Sequence, residues 1–252
     1  EALDKLEKSI ELDPNFAPSF TILGKVYASS QDKDHKEKSV KILKRAIDLN
    51  PDDVESLLFL GIIETEAGNF DSAEKLFKKI TELYPENERG FFFLARLYYE
   101  KGDLINAERL YNESLKLNSS FISALIELAL VYEKQGRFEE SENIYKSIIA
   151  LYPETLDTYV RYGNFLFRVR RKADAKEQFE KAETLDYRNP GLKLRLGLLY
   201  IEDRDFEKAI EEFQLILLGN PNDQRAKYYL ALSYIETEKY EEGLNLKIEE
   251  QK

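Results

Sequence analysis

The amino-acid sequence predicts an all-α protein, a solenoid in which two-helix repeats follow one another along the chain. Three observations lead to this fold class. Apolar and small residues recur with a period of ~34 residues, the apolar positions within each period have helical spacing, and single glycines and prolines separate the helical segments. One such unit cannot bury its apolar face alone, so consecutive units have to stack.

The period is visible at six aligned positions, most of which keep their chemistry from one unit to the next. One unit holds Leu57, Leu60, Gly61, Ala73, Phe77 and Pro85. The next unit holds Phe91, Leu94, Ala95, Ala107, Tyr111 and Ser119. Five further segments keep the same register, so the repeat covers essentially the whole chain.

Each unit is predicted to contain two amphipathic helices. Leu57, Leu60 and Ile63 fall on one face of the first helix, and the segment from Ala73 to Ile80 has the same kind of apolar stripe. The small residue at Gly61 and its equivalents lets a second helix approach the backbone of the first. Two packed helices per unit follow from this pattern.

Turn signals lie where the helices have to end. Glycines suited to a left-handed residue follow three of the first helices, at Gly68, Gly102 and Gly136. Prolines follow four of the second helices, at Pro51, Pro85, Pro153 and Pro221. Asp71 with Glu74 has the spacing of a capping box. Ser30 to Lys36 is predicted to form a wider loop, because one repeat carries an insertion there.

This succession of a large residue, Leu-Gly, Tyr, Ala, an aromatic and Pro resembles the tetratricopeptide repeat family. The resemblance divides the chain into a half repeat, 1–16, and seven repeats, 17–53, 54–87, 88–121, 122–155, 156–189, 190–223 and 224–252, all in one domain. It implies a right-handed superhelix. Lys247 stands where the family has an aromatic, so an irregular final helix is expected. Because the sequence opens within a helical pattern, we expect a segment of a longer protein, and we expect a bacterial source.

Composition limits the classes of partner. The chain has 252 residues, 43% hydrophobic residues, no cysteine and a net charge of −11. The acidic balance disfavours nucleic acid and anionic membranes. No apolar run is long enough to cross a bilayer, so direct membrane insertion is not expected. The absence of cysteine excludes disulfides and thiolate chemistry but leaves cytoplasm and periplasm equally open.

The sequence offers little for catalysis. Its single histidine, His35, lies in a polar stretch and is interpreted as a solvated loop residue. Asp32 and Asp34 beside it lack the spacing of a calcium loop, and no glycine-rich phosphate loop is present. We therefore expect no enzyme activity, no metal and no cofactor. The many glutamates and lysines are typical of solvated helix faces.

The resemblance assigns first-helix residues to a concave groove that binds partners. They are Leu58, Ile62, Thr65, Phe92, Arg96, Tyr99, Ile126, Leu130, Glu133, Val160, Asn164, Phe167, Leu194, Leu198, Ile201, Tyr228, Leu232 and Ile235. The middle member of each set is usually asparagine in the family, yet four of the six sets here have Ile or Leu and only Asn164 is kept. Such a lining predicts a groove for an apolar or amphipathic segment of a partner protein. The alternative is that part of this apolarity is packing between neighbouring repeats.

Basic residues cluster in the otherwise acidic chain and suggest a ligand with a few carboxylates. They are Arg161, Arg168, Arg170, Arg171, Lys172, Lys193 and Arg195, of which Arg161 belongs to the predicted binding set. Neither Thr21 with Lys25 nor Val160 with Asn164 reproduces the carboxylate clamp of some family members, so chaperone tails are not expected. Two further hypotheses stay open: self-association through the terminal segments Ala2–Ile10 or Tyr240–Ile248, and a regulatory arm of an enzyme whose catalytic domain lies outside the sequence.

Overall fold

The computed structural model describes residues 2–30 and 32–246, and every regular element among them is an α-helix. The helices are α1 (Ala2–Leu12), α2 (Ala17–Ala28), α3 (Lys33–Leu49), α4 (Val54–Glu66), α5 (Phe70–Leu83), α6 (Glu88–Glu100), α7 (Leu104–Leu117), α8 (Ile122–Lys134), α9 (Phe138–Leu151), α10 (Leu156–Arg168), α11 (Lys172–Leu185), α12 (Pro190–Glu202), α13 (Phe206–Gly219), α14 (Gln224–Glu236) and α15 (Tyr240–Leu244). The all-α solenoid is confirmed.

Within each unit the two helices of a repeat pair as the pattern predicts, as α4 does with α5 and α12 does with α13. The first helices α2, α4, α6, α8, α10, α12 and α14 begin at residues 17, 54, 88, 122, 156, 190 and 224, where repeats were predicted to begin. The contacts within the chain divide it into a first unit, up to Ile144, and a second unit, from Tyr145 onward. A single domain therefore stays a prediction, and each unit is described by itself. Lys247 and Ile248 lie outside the described residues.

In both units an aromatic side chain of the second helix packs against the small residue of the first. A Cβ atom added to Gly197 would lie 2.6 Å from the ring of Phe213, and one added to Gly61 would overlap the ring of Phe77 in the same way. Both rings are buried. The glycine is needed because the ring occupies the place that a side chain would take.

The turns follow the sequence prediction in most places. Gly68, Gly102 and Gly136 adopt φ values of 79°, 80° and 75°, the left-handed region that favours glycine. Each of the four predicted prolines stands two residues after the end of a second helix. The capping box is wrong, because α5 begins at Phe70 and Asp71 already lies in its first turn.

The segment predicted as a wide loop is shorter than expected. Helix α3 begins at Lys33, because Asp32 caps it by accepting a hydrogen bond from the backbone N–H of Asp34 at 2.8 Å. His35 is therefore a half-buried helix residue and not a solvated loop residue. Its Nδ1 lies 2.9 Å from Ser30 Oγ, and its ring lies 5.0 Å from that of Tyr27. The inserted residues lengthen a helix instead of a loop.

Candidate functional site

The first members of the predicted groove sets on α4, α6 and α8 are packing residues. Leu58, Phe92 and Ile126 are 0%, 7% and 8% exposed, so they do not line an open groove as predicted. Helices α4 and α6 contact each other, as do α6 and α8, and Leu58 and Phe92 belong to one buried cluster. Tyr228 on α14 is 51% exposed, and the described part of the chain has no later first helix that could cover it.

The first unit has a cavity of about 420 Å³ between helices α4, α5 and α6, which we name the Arg96 pocket. It is lined by Ile62, Thr65, Glu66, Gly68, Phe70, Phe77, Phe93, Arg96, Leu97 and Glu100. Glu66 is neutralised by Lys36, whose Nζ lies 2.8 Å from its carboxylate. Arg96 is exposed and makes no hydrogen bond or ion pair within the described residues. This pocket combines an aromatic floor with charged walls.

The second unit has a cavity of about 370 Å³, which we name the Arg195 pocket. Helices α10, α11, α12 and α14 contribute its lining, which consists of Asn164, Phe167, Phe179, Arg195, Leu198, Leu199, Ile201, Glu202, Tyr229 and Leu232. Phe179 and Leu199 are buried. Phe167 and Leu232 are 43% and 38% exposed, although both are large apolar residues. The lining is therefore mostly apolar and open to solvent.

Arg195 is held in place by neutral acceptors. Its Nε donates a hydrogen bond to Asn164 Oδ1 at 3.0 Å, and its Nη1 donates to the carbonyl oxygen of Gly191 at 3.0 Å. No carboxylate pairs with it in the described ranges. The acidic residue of the same pocket, Glu202, is neutralised by Lys172 at 2.5 Å. The guanidinium is thus oriented while its charge is not balanced by an ion pair.

The remaining predicted residues line neither pocket. Val160, Leu194 and Leu130 are half-buried. Arg161 is tied to Asp157 at 2.6 Å. The ring of Tyr99 is covered by an ammonium group 3.9 Å from its centroid, that of Lys134. The structure thus brings together Ile62, Thr65 and Arg96 in one pocket, and Asn164, Phe167, Leu198, Ile201 and Leu232 in the other.

The predicted groove sets lack residues that lie one position after their first members, although the sequence does place Arg195 among the basic residues expected to meet a carboxylate. Phe93 lines the Arg96 pocket, and Arg195 and Tyr229 line the Arg195 pocket. Each stands three residues before the middle member of its own helix, as Arg195 does before Leu198. Residues at this spacing share a helix face, so the i, i+3 relation was the signal that could have identified them.

The predicted basic cluster is largely neutralised within the second unit. Arg171 pairs with Asp174 at 2.6 Å, and Lys172 with Glu202. Lys193 is 2% exposed and cannot meet a ligand, which corrects its assignment to the cluster. Its ammonium contacts the carboxylate of Glu183. It also lies 3.1 Å from Glu212 Oε2 and 3.9 Å from the centroid of the Tyr187 ring.

Burial and pairing shift the pKa values in this buried cluster. Burial acts to lower the pKa of Lys193, but hydrogen bonds to the carboxylates of Glu183 and Glu212 outweigh it, so the pKa is raised. Burial raises the pKa of Glu212, and the neighbouring lysine opposes the shift only in part. The ammonium therefore stays charged, while the deeper carboxylate is held in an unfavourable environment.

Two models of known protein families match this chain. One family model described as tetratricopeptide repeat matches residues 37–97 and 64–113. A second model with the same description matches 92–155, 163–220 and 194–249, more than half of the chain. The chain belongs to the tetratricopeptide repeat family. Its first helices, which line both pockets, are therefore the first helices of tetratricopeptide repeats.

Similar proteins agree with this tetratricopeptide repeat assignment. Tetratricopeptide repeat protein 14 of Mus musculus is 34% identical over 77 residues, which are 31% of this chain and 10% of the mouse protein. Yeast Tom70 has a similar structure, with a TM-score of 0.71 at 17% identity over 97% of this chain and 53% of Tom70. A tetratricopeptide repeat protein from Parabacteroides merdae has a TM-score of 0.66 at 19% identity, covering 92% of this chain and 91% of that one.

These similarities describe the tetratricopeptide fold and not a particular activity. The chain spans about a tenth of the length of the mouse relative and about half of yeast Tom70. None of the helices in residues 2–30 and 32–246 is both long and apolar enough to cross a membrane. Within the same residues, no group of three His, Cys, Asp or Glu side chains is placed to hold a metal ion.

Proposed function

We propose that this chain is a protein-interaction scaffold that binds an apolar or amphipathic segment of a partner protein in the Arg195 pocket. Membership in the tetratricopeptide repeat family supports the general role, because repeat arrays of this kind expose extended surfaces to other proteins and are generally non-enzymatic. The observation that carries the specific proposal is the apolar, solvent-open lining of that pocket, with Phe167 and Leu232 at its mouth.

The exposed apolar side chains of this pocket, such as Phe167 and Leu232, are in contact with water. Large apolar side chains are stabilised by about 1.5–3 kcal/mol when they pass from water to full burial. A cavity of about 370 Å³ lies within the range of pockets that enclose a ligand group, about 300–1,000 Å³. A leucine or phenylalanine side chain of a partner, presented by a helix or by an extended segment, would bury both itself and the pocket wall.

Capture of partner proteins tests this proposal. The wild type and the variants Phe167→Glu and Leu232→Glu are immobilised, and proteins retained from an extract of the source cells are identified and quantified. We expect at least one partner to be retained by the wild type and reduced about tenfold by each variant, because a charge at the pocket mouth opposes apolar burial. Calorimetry with the purified partner then measures the affinity directly.

A matched control separates the pocket from general surface apolarity. Ile105 on α7 is a strongly exposed apolar residue outside both pockets, so Ile105→Glu should retain the partner. Circular dichroism must show that all variants stay helical. Full retention of every partner by the two pocket variants would contradict the proposal.

A second candidate function is self-association through α14. Tyr228, Leu232 and Ile235 are all exposed and follow one another at four and three residues, which places them on one helix face. A second copy of the chain could cover this stripe. Light scattering across a range of concentrations measures the mass. Self-association predicts a mass that rises with concentration in the wild type but not in Tyr228→Lys with Ile235→Lys, and a constant monomer mass argues against it.

A further inference from the structure

The Arg195 pocket has a charge feature that its apolar lining does not explain. Arg161 and Arg171 in the same unit each have a carboxylate 2.6 Å away, whereas Arg195 has only the neutral oxygens of Asn164 and Gly191. Those two hydrogen bonds use Nε and one hydrogen of Nη1. The hydrogens on Nη2 and the other hydrogen on Nη1 have no acceptor within the described residues.

The position of this arginine links the charge to the apolar cavity. Arg195 lines the pocket together with Leu198, three residues later on the same face of α12. Its two hydrogen bonds reach α10 and the first turn of α12, so the guanidinium is oriented before any ligand arrives. A pre-oriented guanidinium loses less conformational entropy on binding than a mobile one, and it can hold a carboxylate through two parallel hydrogen bonds.

The acidic groups nearby do not compete for this position. Glu202 lines the same pocket, but its carboxylate is paired with Lys172 at 2.5 Å. Asp157 on α10 is paired with Arg161. The positive charge of Arg195 therefore faces the cavity without an acidic partner, although the chain as a whole carries a net charge of −11. Local charge complementarity favours an anionic group at this place.

We propose that the Arg195 pocket recognises an acidic amphipathic segment of a partner protein. A large apolar side chain enters the cavity beside Leu198 and Leu232, and a carboxylate of a neighbouring residue on the same segment binds the Arg195 guanidinium. This inference rests on the proposed function and adds the chemistry of the ligand. The apolar side chain supplies most of the affinity, and the ion pair selects among apolar segments.

A peptide array tests the chemistry of the ligand. Each peptide carries one Phe or Leu, placed beside Asp or Glu, beside Asn or Gln, or beside Lys or Arg, in otherwise varied polar sequences. The labelled wild-type chain should retain the acidic class most strongly. Fluorescence anisotropy with the best acidic peptide and its amide counterpart, in which Asp and Glu become Asn and Gln, should then show about tenfold tighter binding of the acidic form.

Variants of Arg195 test whether its guanidinium causes the preference for acidic peptides. Arg195→Gln should make the affinities for the acidic peptide and its amide counterpart about equal. Arg195→Glu should make the amide peptide the tighter ligand. Arg188 is an exposed arginine between α11 and α12 that lines neither pocket, so Arg188→Glu is the matched charge control and should leave the preference unchanged.

The outcomes separate this inference from the proposed function. Equal binding of acidic and amide peptides, or a preference that survives Arg195→Gln, overturns the acidic ligand while the apolar pocket stands, provided that Leu232→Glu still weakens binding. If no class of peptide is retained, or if Leu232→Glu leaves binding intact, the pocket is not the binding site and both proposals fail.

Discussion

One repeat of each unit can be compared at a pair of core positions that is apolar in the first unit and charged in the second. Leu57 on α4 and Leu76 on α5 hold these positions in the first unit. Lys193 on α12 and Glu212 on α13 hold the equivalent positions in the second, where they form a buried ion pair. The same two-helix pattern therefore accepts either an apolar pair or a charged pair at these positions. The two pairs differ in free energy, because the charged side chains have to be removed from water.

The units differ in their turns as well. The left-handed position after a first helix is glycine throughout the described turns of the first unit, at Gly68, Gly102 and Gly136. In the second unit it is Arg170, Arg204 and Glu238, at φ values of 67°, 60° and 59°. Residues with a side chain are strained there. The buried lysine–glutamate pair and the strained turns thus occur in the unit that carries the more apolar pocket, and we expect that unit to be the less stable one.

The largest expected effect comes from breaking the buried ion pair. Lys193→Ala removes the cation between Glu183 and Glu212 and leaves a buried carboxylate without a partner, which should lower the free energy of unfolding by about 3–5 kcal/mol. Urea unfolding followed by circular dichroism measures the change. Hydrogen exchange should place the loss of protection in α11 to α13 and leave the first unit unaffected.

A double variant places the apolar residue pair of the first unit at the equivalent positions of the second unit. Lys193→Leu with Glu212→Leu places the residue types of Leu57 and Leu76 at the equivalent positions. Because apolar replacement of a whole buried pair is often neutral or stabilising, the double variant should lie within about 1 kcal/mol of the wild type or above it. A double variant as unstable as Lys193→Ala would show that the charged pair determines the fold of this unit and is not interchangeable with leucine.

The two units should also differ in how their stability depends on pH, through Glu74 in the first unit and Glu212 in the second. Hydrogen bonds from Lys78, Lys101 and Tyr98 lower the pKa of Glu74 to about 2, against the raised pKa of Glu212. A lowered pKa contributes stability above the unfolded-state value of 4.5, and this stability is lost as the pH falls towards 2. Glu74→Gln should therefore cost about 1–3 kcal/mol at neutral pH, and the difference from the wild type should shrink in acid.

Glu212 should respond with the opposite sign. A carboxyl whose folded-state pKa is raised loses stability as the pH rises above its unfolded-state value of 4.5, because the folded chain then holds the extra proton. Glu212→Gln should therefore gain stability relative to the wild type as the pH increases, while Lys193 keeps Glu183 as its partner. Urea unfolding between about pH 3 and pH 8 measures both series. If the stability of Glu74→Gln and of Glu212→Gln, each relative to the wild type, changed with pH in the same direction, the opposite pKa shifts would be refuted.

Sequence periodicity could predict the repeats but not the part of each groove that stays open. Gly61 and Phe77 contact each other within one repeat, and their spacing recurs along the chain. The sequence pattern alone therefore locates both helices of a repeat. The burial of Phe92 depends on how the next first helix crosses it, which the period does not encode. The sequence alone predicts a surface position for Lys193, because lysine is rarely buried. Because its partners lie on other helices, no local sequence pattern predicts that Lys193 is buried.

The smallest expected effect concerns the turns. Arg204→Gly relieves the left-handed strain at φ 60° and removes a side chain that makes no hydrogen bond or ion pair within the described residues, so it should stabilise the chain by about 0.5–1 kcal/mol. Gly102→Ala, at φ 80° in the first unit, should destabilise it by about 1 kcal/mol. Both values come from urea unfolding.

Arg188→Gly provides the control for this last pair of variants. Arg188 lies in a connection without a positive φ, so glycine there only adds freedom to the unfolded chain and should lower stability slightly. If Arg204→Gly also lowers stability, the arginine at the turn is not strained in solution. The difference between the units would then reduce to the buried ion pair and the pocket, and Lys193→Ala would be its most sensitive test.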